Sequence, residues 1–123
     1  MTVVSEYLDF VKSQGRPLTE INPGSDEIAI SADEALEAIE ILKGNELPIL
    51  GGDVLSTDSG KLTYAHQLWG SQYHYLNWYC DELDNESKAE WSKRSCEVAK
   101  KAINEAVEVS QKLGKDCLIV LVV

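Results

Sequence analysis

Pro48-Ile49-Leu50-Gly51-Gly52-Asp53-Val54-Leu55 is the stretch whose reading decides the fold: an apolar run that meets two glycines and then a carboxylate. Its apolar density is that of a buried strand, and the glycine pair predicts a bulge or a close approach of another backbone. Downstream, Tyr73-His74-Tyr75-Leu76-Asn77-Trp78-Tyr79 is as β-prone as any segment of the chain, because aromatic side chains suit a pleated, half-buried surface. A strand, a turn and one or two further strands bring Asp53 towards His66, Trp69 and Trp78.

Working outward, the first strand is expected over Leu47–Leu55, a turn over Ser56–Gly60 and an antiparallel return over Lys61–Trp69. Gly70-Ser71-Gln72 makes a second turn, and Tyr73–Cys80 a third strand. Upstream, Ser31-Ala32-Asp33-Glu34 is a capping box, opening a helix with Ala32, Ala35, Leu36, Ile39 and Leu42 on one stripe. Gly44-Asn45 closes that helix at about residue 43. An earlier helix over Val3–Ser13 carries Val4, Tyr7, Leu8 and Val11 at helical spacing and stops at Gly15. Residues 16–26 read as an ordered loop, and Glu27–Ile30 as a short strand or the entry to the next helix.

Beyond the aromatic series, Asp81–Asn85 is a polar connection. A long helix is expected over Glu86–Leu113, burying Trp91, Ser95, Val98, Ala99, Ala102, Ala106, Val109 and Leu113, with Gly114 as its stop. Cys117–Val123 is a continuous apolar run, the pattern of a strand buried between neighbours. The class is therefore α+β: one domain, 1–123, with a mainly antiparallel sheet (a meander plus the C-terminal strand) against two or three helices including the long one.

The chain carries 21 acidic against 11 basic side chains, a net charge of −10. Residues 1–60 hold 12 acidic and 3 basic groups, residues 61–123 hold 9 and 8. Such a chain is repelled by phosphate backbones and by acidic membrane surfaces, so direct nucleic-acid and membrane partners are not expected. A basic protein is the complementary partner; solubility alone is the plainer use of the same charge. No apolar run reaches the roughly 18 residues that cross a bilayer, and no signal-peptide pattern opens the chain, so the expected address is the cytoplasm. Cys80, Cys96 and Cys117 are an odd count without ligand spacing, and reduced, buried thiols are expected rather than a disulfide or metal site.

Two groups of residues are candidates for function. Asp33, Glu37 and Glu40 share a helix face suited to a basic surface. Asp53, Asp58, His66 and Trp69 lie around the strand turns. A small hydrolase would recruit Asp53, His66 and His74, a carboxylate fixing the tautomer of a general base. The histidines are eight apart with no metal spacing and no phosphate loop accompanies them, so catalysis, cofactors and metal are not expected. A non-enzymatic adaptor module is the third reading.

The elements Ile49-Leu50-Gly51-Gly52-Asp53-Val54 and Asn77-Trp78-Tyr79, with an Ala-rich helix and a terminal apolar strand behind them, resemble the immunity protein 40 family of bacterial polymorphic-toxin and contact-dependent inhibition systems. The resemblance runs from about Ile28 to the end. It implies a small cytosolic protein that binds and blocks the C-terminal domain of a cognate toxin, often a nuclease with a basic cleft. Gly51, Gly52, Asp53, Asn77, Trp78 and Tyr79 would then define either the fold or the interface.

Overall fold

The computed structural model describes residues 2–123, with side chains from Ser5 onward. Helix α1 (Thr2–Gln14) buries Tyr7 and Val11; the side chain of Val4, expected on the same stripe, lies outside the described residues. Strand β1 (Arg16–Pro17) and a 3-10 turn over Leu18–Glu20 occupy the region read as loop. Strand β2 (Ile28–Ser31) runs straight into helix α2 (Ala32–Gly44) through the expected capping box. The Glu34 amide donates to Ser31 Oγ at 3.1 Å, and the Ser31 amide to Glu34 Oε1 at 2.9 Å.

Strand β3 covers Gly51–Asp58, three residues further along the chain than expected at its end. Residues 47–49 precede it because their polar backbone is met by the last helix, α4 (Lys88–Leu113): the Ile49 amide donates to Ser95 Oγ at 2.9 Å, and Ser92 Oγ to the Leu47 carbonyl at 3.4 Å. Strand β4 (Lys61–Tyr64) forms the hairpin, but the strand expected to continue to Trp69 turns into helix α3 (Ala65–Trp69). A 3-10 turn over Ser71–Leu76 follows, leaving only Trp78–Tyr79 as β5. The cause is the partner edge. Along that side of β3, β4 holds Leu55–Asp58 and β5 holds Gly51 and Gly52. The amide of Val54 between them donates to Asn77 Oδ1 at 2.8 Å. Residues 65–76 therefore leave the ladder, and Trp69 and Tyr73 pack against the core while Tyr75 is exposed.

Strand β6 (Leu118–Val122) pairs with β2 on one side and with β3 over Gly51–Leu55 on the other, completing an antiparallel sheet of order β1-β2-β6-β3-β4 with β5 beside β3. Because side chains alternate along a strand, the pairs Gly52–Leu121 and Val54–Ile119 face the helices, whereas Asp53–Val120 and Leu55–Leu118 face the opposite way. The helix side holds the main core with Ile39, Leu42, Trp78, Cys96 and Ile103. The other side has a smaller cluster of Leu18, Ala29, Leu55, Leu62 and Val120.

Helix α4 starts two residues later than expected because Ser87 and Glu90 form a second capping box; Gly114 ends it at φ +66°. Its buried stripe is also rotated from the expected one. Ser92, Cys96, Ile103 and Ser110 are buried along with Ser95, Ala99 and Ala106, while Leu113 is exposed. The serines can lie there because each hydroxyl bonds a backbone carbonyl, as Ser110 does to Val107 at 2.7 Å. All three cysteines are free thiols.

Candidate functional site

The glycine pair owes its presence to Trp78. A Cβ on Gly51 would run into the Trp78 carbonyl oxygen, and one on Gly52 would run into the six-membered ring of the Trp78 indole. Hydrogen at both positions lets the indole lie flat over the β3 backbone, 8% exposed. Asn77 then carries the ladder across the gap between β5 and β4 through its side-chain oxygen. Four of the six motif residues, Gly51, Gly52, Asn77 and Trp78, thus build this junction. The other two face outward: Asp53 is half-buried on the far side of the sheet, and Tyr79 is 82% exposed.

Around Asp53 the structure gathers several titratable groups. Burial pushes its carboxyl above the ordinary carboxylate range, and the neighbouring His66 and His74 pull partly in the opposite direction. Glu27 is also raised, by burial first and then by Asp53 and Asp26. The Tyr64 phenol is raised by burial and by the same two carboxylates, Asp53 and Glu27, and burial beside Glu27 pushes Tyr7 up to about 12. The two imidazoles meet edge-to-face with centroids 4.5 Å apart, and His66 lies 5.9 Å from the Tyr64 ring. Trp69 stacks edge-on with Tyr73 at 6.2 Å. Asp53 thus lies close enough to both histidines to feel them, but neither the Trp69 nor the Trp78 indole donates to it: both indole nitrogens, like His66 Nδ1, are buried without a hydrogen-bond partner. Among the described residues no carboxylate–imidazole hydrogen bond forms, and no group of three His, Cys, Asp or Glu is placed to hold a metal ion.

The connection after β5 is held in one shape by Arg94. Its guanidinium donates to both Glu86 oxygens, at 2.7 and 2.8 Å, to the Asp81 carbonyl at 2.5 Å and to Cys80 Sγ at 3.1 Å. Trp91 Nε1 adds a bond to the Cys80 carbonyl at 2.8 Å. The Arg94 pairing, with the Leu83 amide, lowers Glu86 to about 2. Arg94 itself is raised. So fixed, the loop exposes Leu83 and the carboxylates Asp81, Glu82 and Asp84.

The other sequence candidates lie elsewhere. Asp33, Glu37 and Glu40 are all exposed on α2, and Glu40 is paired with Lys100 of α4 at 3.0 Å, which lowers its carboxyl. Asp58 is exposed at the hairpin, opposite Lys61. The candidates therefore form two surfaces, one on α2 and one beside β3. Sequence reasoning passed over Glu27, Leu50, Asp81 and Arg94. A readable signal existed for part of this: residues 62–87 contain no Lys or Arg.

Against this geometry, the sequence model of the immunity protein 40 family matches residues 17–123. The chain belongs to the immunity protein 40 family. The match begins at Pro17, so β2 and the second residue of β1 belong to it, not only the chain from Ile28 onward. Neither a curated protein nor a solved structure matches the chain. Membership makes this an immunity protein and implies binding to a cognate toxin protein. It also accords with an inhibitor rather than an enzyme. No helix among the described residues of the immunity protein is long and apolar enough to cross a membrane.

Proposed function

We propose that this immunity protein neutralises the C-terminal domain of a cognate polymorphic or contact-dependent toxin by covering a basic, substrate-binding cleft with its own carboxylates. A nuclease is the toxin class that fits, because a cleft built to hold phosphates is lined by cations that acidic side chains can occupy. The observation that carries this reading is the family match on a chain of net charge −10, whose surface beside β3 sets Glu27 and Asp53 together with no Lys or Arg paired to them among the described residues. The partner's action on nucleic acid would place both proteins in the cytoplasm.

The test is co-expression in a bacterial host with the toxin domain encoded by the neighbouring reading frame. Growth should be arrested by the domain alone and restored by the immunity protein, and the purified pair should associate more slowly as salt rises. Continued arrest in the presence of folded immunity protein overturns the reading. One observation favours a second reading: Asp53, His66 and His74 do converge, as a hydrolase would require. Turnover that vanishes in His66→Ala and His74→Ala, with toxin binding intact, would establish it.

A further inference from the structure

Three hollows lie side by side at one end of the sheet. One, of about 280 Å³, separates α1 from the end of β6 and includes Tyr7, Asp26, Glu27 and Val123. A second, of about 220 Å³, is formed by Leu47, Pro48, Leu50, Trp91 and Val123. A third, of about 170 Å³, includes Leu50, Asp53, Tyr79, Asp81 and Val122. Each pair has one residue in common, Val123 for the first and second, Leu50 for the second and third, and Val122 for the first and third, so the three adjoin. The apolar centre of this region is open: Tyr79 is 82% exposed, Val123 48% and Leu50 40%. Its charged residues are Asp26, Glu27, Asp53 and Asp81, and no Lys or Arg among the described residues lines any of the three.

We infer that this end of the sheet, with Leu50, Tyr79 and Val123 at its centre and Glu27, Asp53 and Asp81 around them, is the surface that receives a basic segment of the toxin. The inference rests on the toxin-binding reading above and assigns it a place. Three features select this surface over the acidic face of α2. An exposed aromatic among aliphatic groups with a polar rim is the composition of an interface centre, where a few anchors carry most of the affinity. The charge admits one kind of occupant, a Lys- or Arg-bearing protein segment. Glu27 and Asp53 have also lost part of their water already and repel one another, so an arriving cation has less of their hydration to displace than on an exposed face. On α2, by contrast, Glu40 already has Lys100. Finally, the Arg94 bonds hold Asp81 and its loop in place before any partner arrives, which lowers the ordering cost of binding.

The experiment measures binding of the catalytically silenced toxin domain from the neighbouring reading frame to wild type, to Tyr79→Ala/Asp81→Lys and to Asp33→Lys/Glu37→Lys. The first variant should weaken Kd by at least about 30-fold, mostly through faster dissociation. The α2 variant should change it by less than about threefold, through association. Hydrogen exchange on the wild-type complex gives a reading that depends on no variant: amides of 50–53 and 79–83 should slow on binding while those of α2 do not. The opposite ranking of the variants, or protection confined to α2, overturns the assignment while leaving toxin binding standing. Absence of binding by folded wild type removes the toxin-binding reading itself.

Discussion

The acidic face of α2 and the acidic end of the sheet have similar numbers of carboxylates and differ in what those carboxylates face. Asp33, Glu37 and Glu40 stand in water, and Lys100 reaches across from α4 to the last of them at 3.0 Å. Glu27 and Asp53 stand half out of water, against one another and against tyrosine and histidine rings. Charge counts along a sequence treat the two alike. Their energetics differ, because a solvated and already paired carboxylate gains little from a new cation, whereas an uncompensated, partly desolvated one gains more. On the assignment proposed above, uncompensated charge rather than total charge marks the toxin-facing surface.

The comparison breaks most sharply if the sheet end loses its shape while α2 keeps its own. Gly52→Ala places a methyl group in the Trp78 ring, and overpacking of this kind costs on the order of 1–3 kcal/mol. Thermal unfolding should show a Tm lowered by roughly 10 °C, recovered in part by adding Trp78→Leu. An unshifted Tm would mean the indole does not need the glycine.

A gentler change separates shape from charge. Arg94→Ala removes the bonds that hold residues 80–86 without touching β3 or α2. Exchange at the Leu83 and Glu86 amides should speed by about tenfold or more, with α2 amides unchanged. The same variant has a pH signature. Glu86 is lowered from 4.5 to about 2, so its pairing supports the fold above the ordinary value and that support is lost as pH falls towards 2. Acid titration of stability should show this loss in wild type and less of it in Arg94→Ala, where the Leu83 amide alone still holds Glu86.

The smallest expected effect concerns the carboxylate itself. Asp53 holds its proton more tightly in the folded chain than in the unfolded one, so its ionised form opposes folding at neutral pH. That opposition fades as pH falls through the raised value and is gone below the ordinary carboxylate range. Asp53→Asn should therefore stabilise slightly at pH 7, by about 0.5 kcal/mol or less because water still screens the group, and not at all at pH 3. Denaturant midpoints at the two pH values decide it. A loss of stability at pH 7 would mean that Asp53 has a favourable partner in the fold.

Much of the fold was legible because its signals are local. The capping box at Ser31 and Glu34 needs only four residues to declare itself, and the apolar run ending at Val123 has the pattern of a strand with neighbours on both sides, which β6 has. Residues 65–76 misled because aromatic density was read as strand, whereas the decision belonged to Asn77, whose side chain takes the ladder position at Val54 from a distance of 23 residues. The buried stripe of α4 misled for a similar reason at Ser92, which looks exposed until the Leu47 carbonyl arrives to accept from its hydroxyl, whereas Ser95, expected on the buried side, accepts from the Ile49 amide there. At the candidate surface, Asp53 and Tyr79 were visible as parts of a motif. Glu27 and Asp81 acquire their surroundings only when β2 and the Arg94 loop are folded beside β3.

Strand β6 lies between β2 and β3, and its pairing with β3 joins residues more than sixty positions apart. The two flanking strands therefore emerge from the ribosome well before the one that joins them, and the sheet stays open until 118–122 has been made. A topology of such distant contacts closes slowly and leaves unpaired edges exposed while it waits. Each newly synthesised copy thus passes through an interval in which most of the chain exists but β2 and β3 are not yet joined.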